Sequence, residues 1–91
     1  MGRVVMTRNF KEKAEEAVGP AEAAYRIAQM IRRHGTGDWG ELSAEDVTAN
    51  AEALKDGERL MSSYTDVFDF KVWVITEADR SVTTILLPSD Y

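Results

Sequence analysis

Lys71-Val72-Trp73-Val74-Ile75-Thr76-Glu77-Ala78-Asp79-Arg80-Ser81-Val82-Thr83-Thr84-Ile85-Leu86-Leu87-Pro88 decides how this chain must fold. β-Branched and aromatic residues fill both arms, and Ala78-Asp79-Arg80 has the length and polarity of a tight hairpin connection. Strands are expected from Phe70 to Thr76 and from Ser81 to Leu87. Pro88 stops the second, because proline cannot continue a ladder. Val72 to Ile75 is apolar without alternation, as in a strand covered on both faces, so it belongs near the centre of a sheet. Outward from this hairpin, Arg59 to Tyr64 alternates and supplies a third strand. Val4-Val5-Met6 reads as a short first strand, at an edge or in the centre.

Three helices fill the interval. Phe10 to Val18 is rich in Lys, Glu and Ala, with Asn9 as a candidate N-cap. Gly19-Pro20 punctuates it. Ala21 to Arg33 carries Ala24, Ile27, Ala28 and Ile31 at helical spacing, with Met30 beside them, which predicts a buried stripe. Arg32 and Arg33 fall where cations complement the helix dipole. A third helix begins after Ser43, with Glu45 and Asp46 in its first turn and Val47, Ala51 and Leu54 as its apolar stripe; Gly57 ends it. The expected order is β-α-α-α-β-β-β. It predicts a two-layer α+β fold with an antiparallel three-stranded meander, one N-terminal strand and helices on one face. At 91 residues this is one domain, spanning 1–91, with a small core.

Composition removes several classes of function. The chain has no cysteine and one histidine. That excludes disulfides, thiol catalysis and histidine-rich metal centres, and suits a reducing cytoplasm. No loop has calcium-binding spacing, so neither metal nor cofactor is expected. No apolar run reaches bilayer length, and the N-terminus lacks the apolar core of a secretory leader. The net charge of −5 divides unevenly, +3 over residues 1–35 and −8 over residues 36–91. The acidic part disfavours nucleic acid, while the basic N-terminal helices leave salt-dependent DNA contact as a third possibility. Such polarity also steers association with a protein partner or a second copy.

Two clusters are more polar than a connection between elements requires. In His34-Gly35-Thr36-Gly37-Asp38-Trp39-Gly40-Glu41, His34 could act as a general base with Asp38 or Glu41 orienting it. The structural alternative has His34 as an imidazolium ending a helix, Gly37 and Gly40 at positive φ, Asp38 making an Asx-turn and Trp39 sealing the core. The acidic residues that follow rule against a phosphate cradle. In the second cluster, Glu77, Asp79 and Arg80 could do acid–base work or form a charged hairpin tip. Arg59, Ser63, Lys71, Trp73 and Arg80 could share a sheet face suited to a ligand or partner. Asn50, beside the apolar stripe of the third helix, is expected to fix the 35–41 loop through its amide.

The run His34-x-x-Gly37-Asp38-Trp39-Gly40-x-Leu42, followed by Glu45-Asp46, Asn50, Leu54, Gly57, Arg59-Leu60, Ser63 and Tyr64, resembles one family. So does Trp73-x-Ile75-Thr76-Glu77-Ala78-Asp79-Arg80-Ser81-x-Thr83-Thr84-x-Leu86-Leu87-Pro88 with Tyr91. The family comprises small bacterial proteins carried on plasmids, phages and other mobile elements, loosely called plasmid-related proteins, with no agreed chemistry. The resemblance spans about residues 34–91 and implies a mobile-element setting and a shared architecture. Thr65 to Phe70 departs from it, placing Phe68 and Phe70 where a polar, glycine-containing turn is usual. If exposed, these rings would form a contact surface. A non-enzymatic interaction or regulatory module is therefore the expected function. The alternative is a small hydrolase or nuclease-like enzyme using His34, Asp38, Glu41, Glu77 and Asp79.

Overall fold

β3 (Val72–Thr76) takes the interior position that its unbroken apolar run requires. In the computed structural model, which describes residues 2–91, it lies between β4 (Val82–Leu86) and β2 (Leu60–Tyr64), antiparallel to both. β1 (Arg3–Met6) completes a four-stranded sheet of order β1-β4-β3-β2. It joins as an edge strand parallel to β4, in register from Arg3 opposite Val82 to Met6 opposite Ile85. The order β-α-α-α-β-β-β is thus the observed one, in an α+β domain.

Helix α1 spans Arg8–Val18 and is capped by Thr7, not Asn9: the Thr7 hydroxyl accepts from the Phe10 amide at 3.2 Å. Asn9 instead donates to the Asp90 carboxylate at 2.8 Å, and Thr7 donates to the same carboxylate at 2.7 Å. These bonds hold the Asp90 carboxyl below the usual carboxylate range. They fasten the single 3₁₀ turn Pro88–Asp90 to the start of α1.

Helix α2 (Pro20–Gly35) follows directly, with proline in its first turn. Its buried residues are Ala23, Met30 and His34. The predicted stripe is therefore rotated, since Ala24 and Ala28 are exposed and Ile27 and Ile31 only half-buried. Phe10, Ala14, Ala23 and Met30 pack on Tyr64, Val72, Val74 and Ile85, so α1 and α2 cover that face of the sheet.

Phe68 and Phe70 do not form an exposed surface. Phe68 is buried, and both rings stand edge-on to Phe10, at 5.8 and 6.4 Å between centroids. They stack on each other at 5.2 Å, with Lys13 over Phe70. Burying one phenyl ring stabilises the fold by about 2–3 kcal/mol, which is more than a polar turn would contribute here.

Helix α3 (Ala44–Asp56) is built as its ends predict, capped by Ser43 and closed by Gly57 in the left-handed region. Its inner face differs from expectation. Asn50 and Ala53 are buried, whereas Val47, Ala51 and Leu54 are exposed. The Asn50 amide donates to the Met61 carbonyl at 2.6 Å and accepts from the Met61 amide at 3.1 Å. Its partner is thus strand β2 and not the 35–41 loop. An amide placed like a strand backbone fixes α3 to the outer edge of the sheet, leaving its apolar stripe unused.

Candidate functional site

The last turn of α2 carries His34 under the sheet, where 3% of its surface remains accessible. Nδ1 lies 2.5 Å from Ser62 Oγ and Nε2 lies 2.8 Å from Thr76 Oγ1. Thr76 in turn pairs with Thr83 at 2.7 Å, so imidazole and hydroxyls form one buried chain across β2, β3 and β4. Burial pushes the His34 pKa down to about 4, so the ring is neutral near pH 7. One ring nitrogen then donates and the other accepts. His34 is therefore not an imidazolium capping helix carbonyls. Thr36 closes the helix instead, its amide and hydroxyl both bonding to the carbonyls of Arg32 and Arg33.

The loop after α2 has its polar groups consumed locally. Asp38 accepts from Arg33 at 2.7 Å and from the Gly40 amide at 3.2 Å, the expected Asx-turn. The arginine holds its carboxyl below the usual range. Arg33 also pairs with Asp66 and lies over the Tyr64 ring, whose hydroxyl donates to the Asp38 carbonyl at 2.6 Å. The loop then runs beside β2. The Ser63 amide donates to the Trp39 carbonyl, and the Glu41 amide donates to the Ser63 carbonyl. With Met61 satisfied by Asn50, the outward-facing backbone of β2 has no free group left at Met61 or Ser63.

Gly37 and Gly40 both sit at positive φ, but they differ in surroundings. A Cβ on Gly37 would meet open space, whereas one on Gly40 would collide with the Ser63 carbonyl and the Tyr64 ring. Gly37→Ala should therefore cost about 1 kcal/mol, the conformational term alone. Gly40→Ala should cost more, roughly 2–3 kcal/mol, because neither backbone nor ring can yield. Urea denaturation of the two variants reads the difference.

Arg80 occupies the left-handed position of the β3–β4 turn, with φ of 64°. The turn is closed by Arg80 N–H to Glu77 carbonyl and by Glu77 N–H to Val82 carbonyl. Among the described residues the guanidinium has no salt-bridge partner. It donates to the carbonyls of Glu58 (2.5 Å), Ala53 (3.2 Å), Glu77 (3.2 Å) and Ala78 (3.4 Å). Its charge thus completes the C-terminal end of α3, where the helix dipole favours a cation. Asp79 accepts from the Ser81 hydroxyl at 2.6 Å and its amide at 3.0 Å, which lowers its pKa.

The two polar clusters meet, though not through their carboxylates. His34 and Arg80 line one cleft of about 410 Å³ whose walls include Trp39, Leu54, Leu60 and Thr76. Trp39 stands edge-on to His34, 5.6 Å between ring centroids. Asp38 is turned to Arg33, Glu77 to Arg59 at 3.5 Å and Asp79 to Ser81, and neither these three nor Glu41 line the cleft. Among the described residues no group of acidic or histidine side chains is arranged to hold a metal ion. The shared sheet face also resolves differently. Ser63 and Trp73 are register partners, and Trp73 packs edge-on against Tyr91. Arg59 joins them by donating to the Tyr91 hydroxyl at 2.7 Å, an interaction that raises its pKa. Lys71 is exposed, and Arg80 lies on the opposite side with His34 and Leu60.

Sequence reasoning missed Ser62 and Leu60 as site residues; Thr76 stood at the head of the second polar cluster without a role, and Leu54 was read as part of a buried stripe and not as the rim of a cleft. The available signal was His34 itself, four residues after Met30 on the inner side of α2, with hydroxyls at inward strand positions. Comparison of the chain with family models, with curated proteins and with solved structures returned no match. Among the described residues no helix is long and apolar enough to cross a membrane.

Proposed function

We propose that the protein is a non-enzymatic interaction module whose cleft between α2, α3 and the β3–β4 turn seats a bulky apolar side chain of a protein partner. The cleft itself carries this reading. Its walls include Trp39, Leu54 and Leu60, Arg80 is the one charged group among the described residues lining it, and its histidine is already bonded at both nitrogens. An apolar bowl with a few convergent polar groups binds, whereas catalysis needs a group free to take a proton. Ser62, the hydroxyl nearest the imidazole, is wholly buried and out of reach of any substrate. Leu54 is 58% exposed at the rim and Val47 is exposed two turns earlier on the same face of α3, so an incoming chain finds apolar surface beyond the cleft. The mobile-element resemblance of residues 34–91 would place such a module on a plasmid or phage.

Peptides selected by phage display against the immobilised protein provide the test. Selected peptides should carry a large apolar residue and shift the amide resonances of residues 34–39 and 80. Leu54→Asp should weaken them about tenfold or more, since it places a charge on the buried contact. Peptides that bind with unchanged affinity to Leu54→Asp and Trp39→Ala would refute the assignment. So would ester or phosphodiester hydrolysis by the wild type that disappears in His34→Gln.

A further inference from the structure

The two edges of the sheet are treated in opposite ways. On the β2 side, Asn50 and the Trp39–Glu41 backbone occupy the outward groups of Met61 and Ser63. On the β1 side there is no neighbouring strand among the described residues. Arg3 and Thr7 donate toward β4, to the carbonyls of Ser81 and Ile85, so the alternating backbone groups of Val4 and Met6 point away from the sheet. Their side chains are also accessible, Val4 at 41% and Met6 at 36%. Arg3 opens the strand with a charge, but Val4 and Met6, whose backbone groups point outward, are apolar and neither is proline, so this edge is a template for another strand.

The adjoining surface has the same character. A groove of about 310 Å³ runs from Met6 along Ala24, Ile27 and Ala28 of α2, where the domain leaves Ala24 and Ala28 exposed and Ile27 half-buried. Lys11 and Glu15 of α1 flank it. They lie four residues apart, so two antiparallel copies of this helix face would set each lysine opposite the glutamate of the other copy. The surface is thus complementary to itself in both backbone and charge.

We infer that β1 and the flank of α2 form a twofold interface between two copies of this chain. In it the β1 strands pair antiparallel, and Val4 of one copy exchanges backbone hydrogen bonds with Met6 of the other. The two sheets become one sheet of eight strands. Exposed Ala24 and Ala28 let the α2 helices approach, and the Lys11–Glu15 pairs fix the direction. The interface lies at the opposite sheet edge from α3, so it leaves the cleft open and does not depend on what the cleft binds.

Sedimentation equilibrium of the full chain from about 1 to 200 µM tests it, in the range where small interfaces of this kind associate. The wild type should be a dimer at the upper end. Val4→Pro removes an outward amide and leaves the Arg3 and Thr7 bonds to β4 intact. It should weaken dimerisation at least about tenfold. Ala28→Arg acts on α2 alone and should do the same with an unchanged circular dichroism spectrum, which guards against a misfolded proline variant. Leu54→Asp, in the cleft, should leave the dimer as it is. A wild type that stays monomeric throughout, or a dimer indifferent to both Val4→Pro and Ala28→Arg, would overturn the inference.

Discussion

Lowering the pH from 6.5 to about 4 will strip the wild-type protein of about 3 kcal/mol of stability, and His34→Gln will show no such decline. The folded protein holds the imidazole neutral down to about pH 4, whereas in the unfolded chain it takes a proton at its ordinary value of 6.5. Between those values only the unfolded state gains a proton, so unfolding becomes easier by up to roughly 1.4 kcal/mol per pH unit. Above pH 6.5 neither state is protonated and the curve is flat. Below about 4 both are, and this contribution levels off. The carboxylates act lower still. Asp38, Asp79 and Asp90 have depressed values, so their contribution is present above the usual carboxylate value and is lost as pH falls from there down through the depressed ones. The two windows are separable by urea melts at half-unit intervals. At pH 7.5 the glutamine variant should itself be weaker by about 1–3 kcal/mol, because one amide cannot reproduce both ring bonds and a buried hydroxyl loses its partner. A wild-type curve that is flat from 6.5 to 4.5 would show the ring to be protonated in the folded state.

Asn50→Ala should be the most damaging substitution on α3, at about 3 kcal/mol, although alanine is the better helix former. The amide satisfies both the N–H and the C=O of Met61, and its loss leaves two backbone groups unpaired beside buried side chains. Asn50→Asp is the sharper control. It keeps the shape and the acceptor but sets a carboxylate oxygen against the Met61 carbonyl, so it should do no better than alanine. Hydrogen exchange localises the effect. The Met61 amide should exchange faster in both variants, while the Ser63 amide, held by Trp39, should change less. Val47→Ala, on the exposed side of the same helix, should stay within about 0.5 kcal/mol of wild type. Equal losses at positions 47 and 50 would mean that α3 is held by its apolar stripe after all.

Strands and both ends of α3 were legible because they rest on local chemistry, whereas Thr7 and not Asn9 caps α1 and α2 runs on past Arg33 to Gly35. β-Branched runs, Ser43, Gly57 and Pro88 impose the same backbone whatever surrounds them. Which side of a helix turns inward was not legible for α2 and α3. Counting apolar residues points α2 toward Ala24 and Ala28, but its buried side also contains a histidine, which hydropathy counts as polar until its hydroxyl partners are known. In α3 the inward position is an amide for the same reason. Phe68 and Phe70 misled in the opposite sense: a loop position suggests exposure, yet both rings fold back onto Phe10. The carboxylates of the two polar clusters drew attention as catalytic candidates. Their partners Arg33, Arg59 and Ser81 are supplied by neighbouring elements or by the turn itself, and only coordinates reveal that pairing. The convergence of His34 with Arg80 was invisible for a simpler reason, since it depends on how far α2 reaches beneath the sheet.

Among the described residues β1 pairs with β4 alone, and Asp90 bonds to Thr7 across 83 positions. A ribosome therefore releases all three helices before any two adjacent strands exist. Until Leu60 to Thr76 emerge, Phe10 and Met30 have no sheet to cover, and the growing chain presents them to chaperones and proteases; β1 stays unpaired until Val82 to Leu86 follow. Resistance to a protease pulse should appear abruptly, in nascent chains long enough to free Asp90 from the exit tunnel, with little protection at shorter lengths.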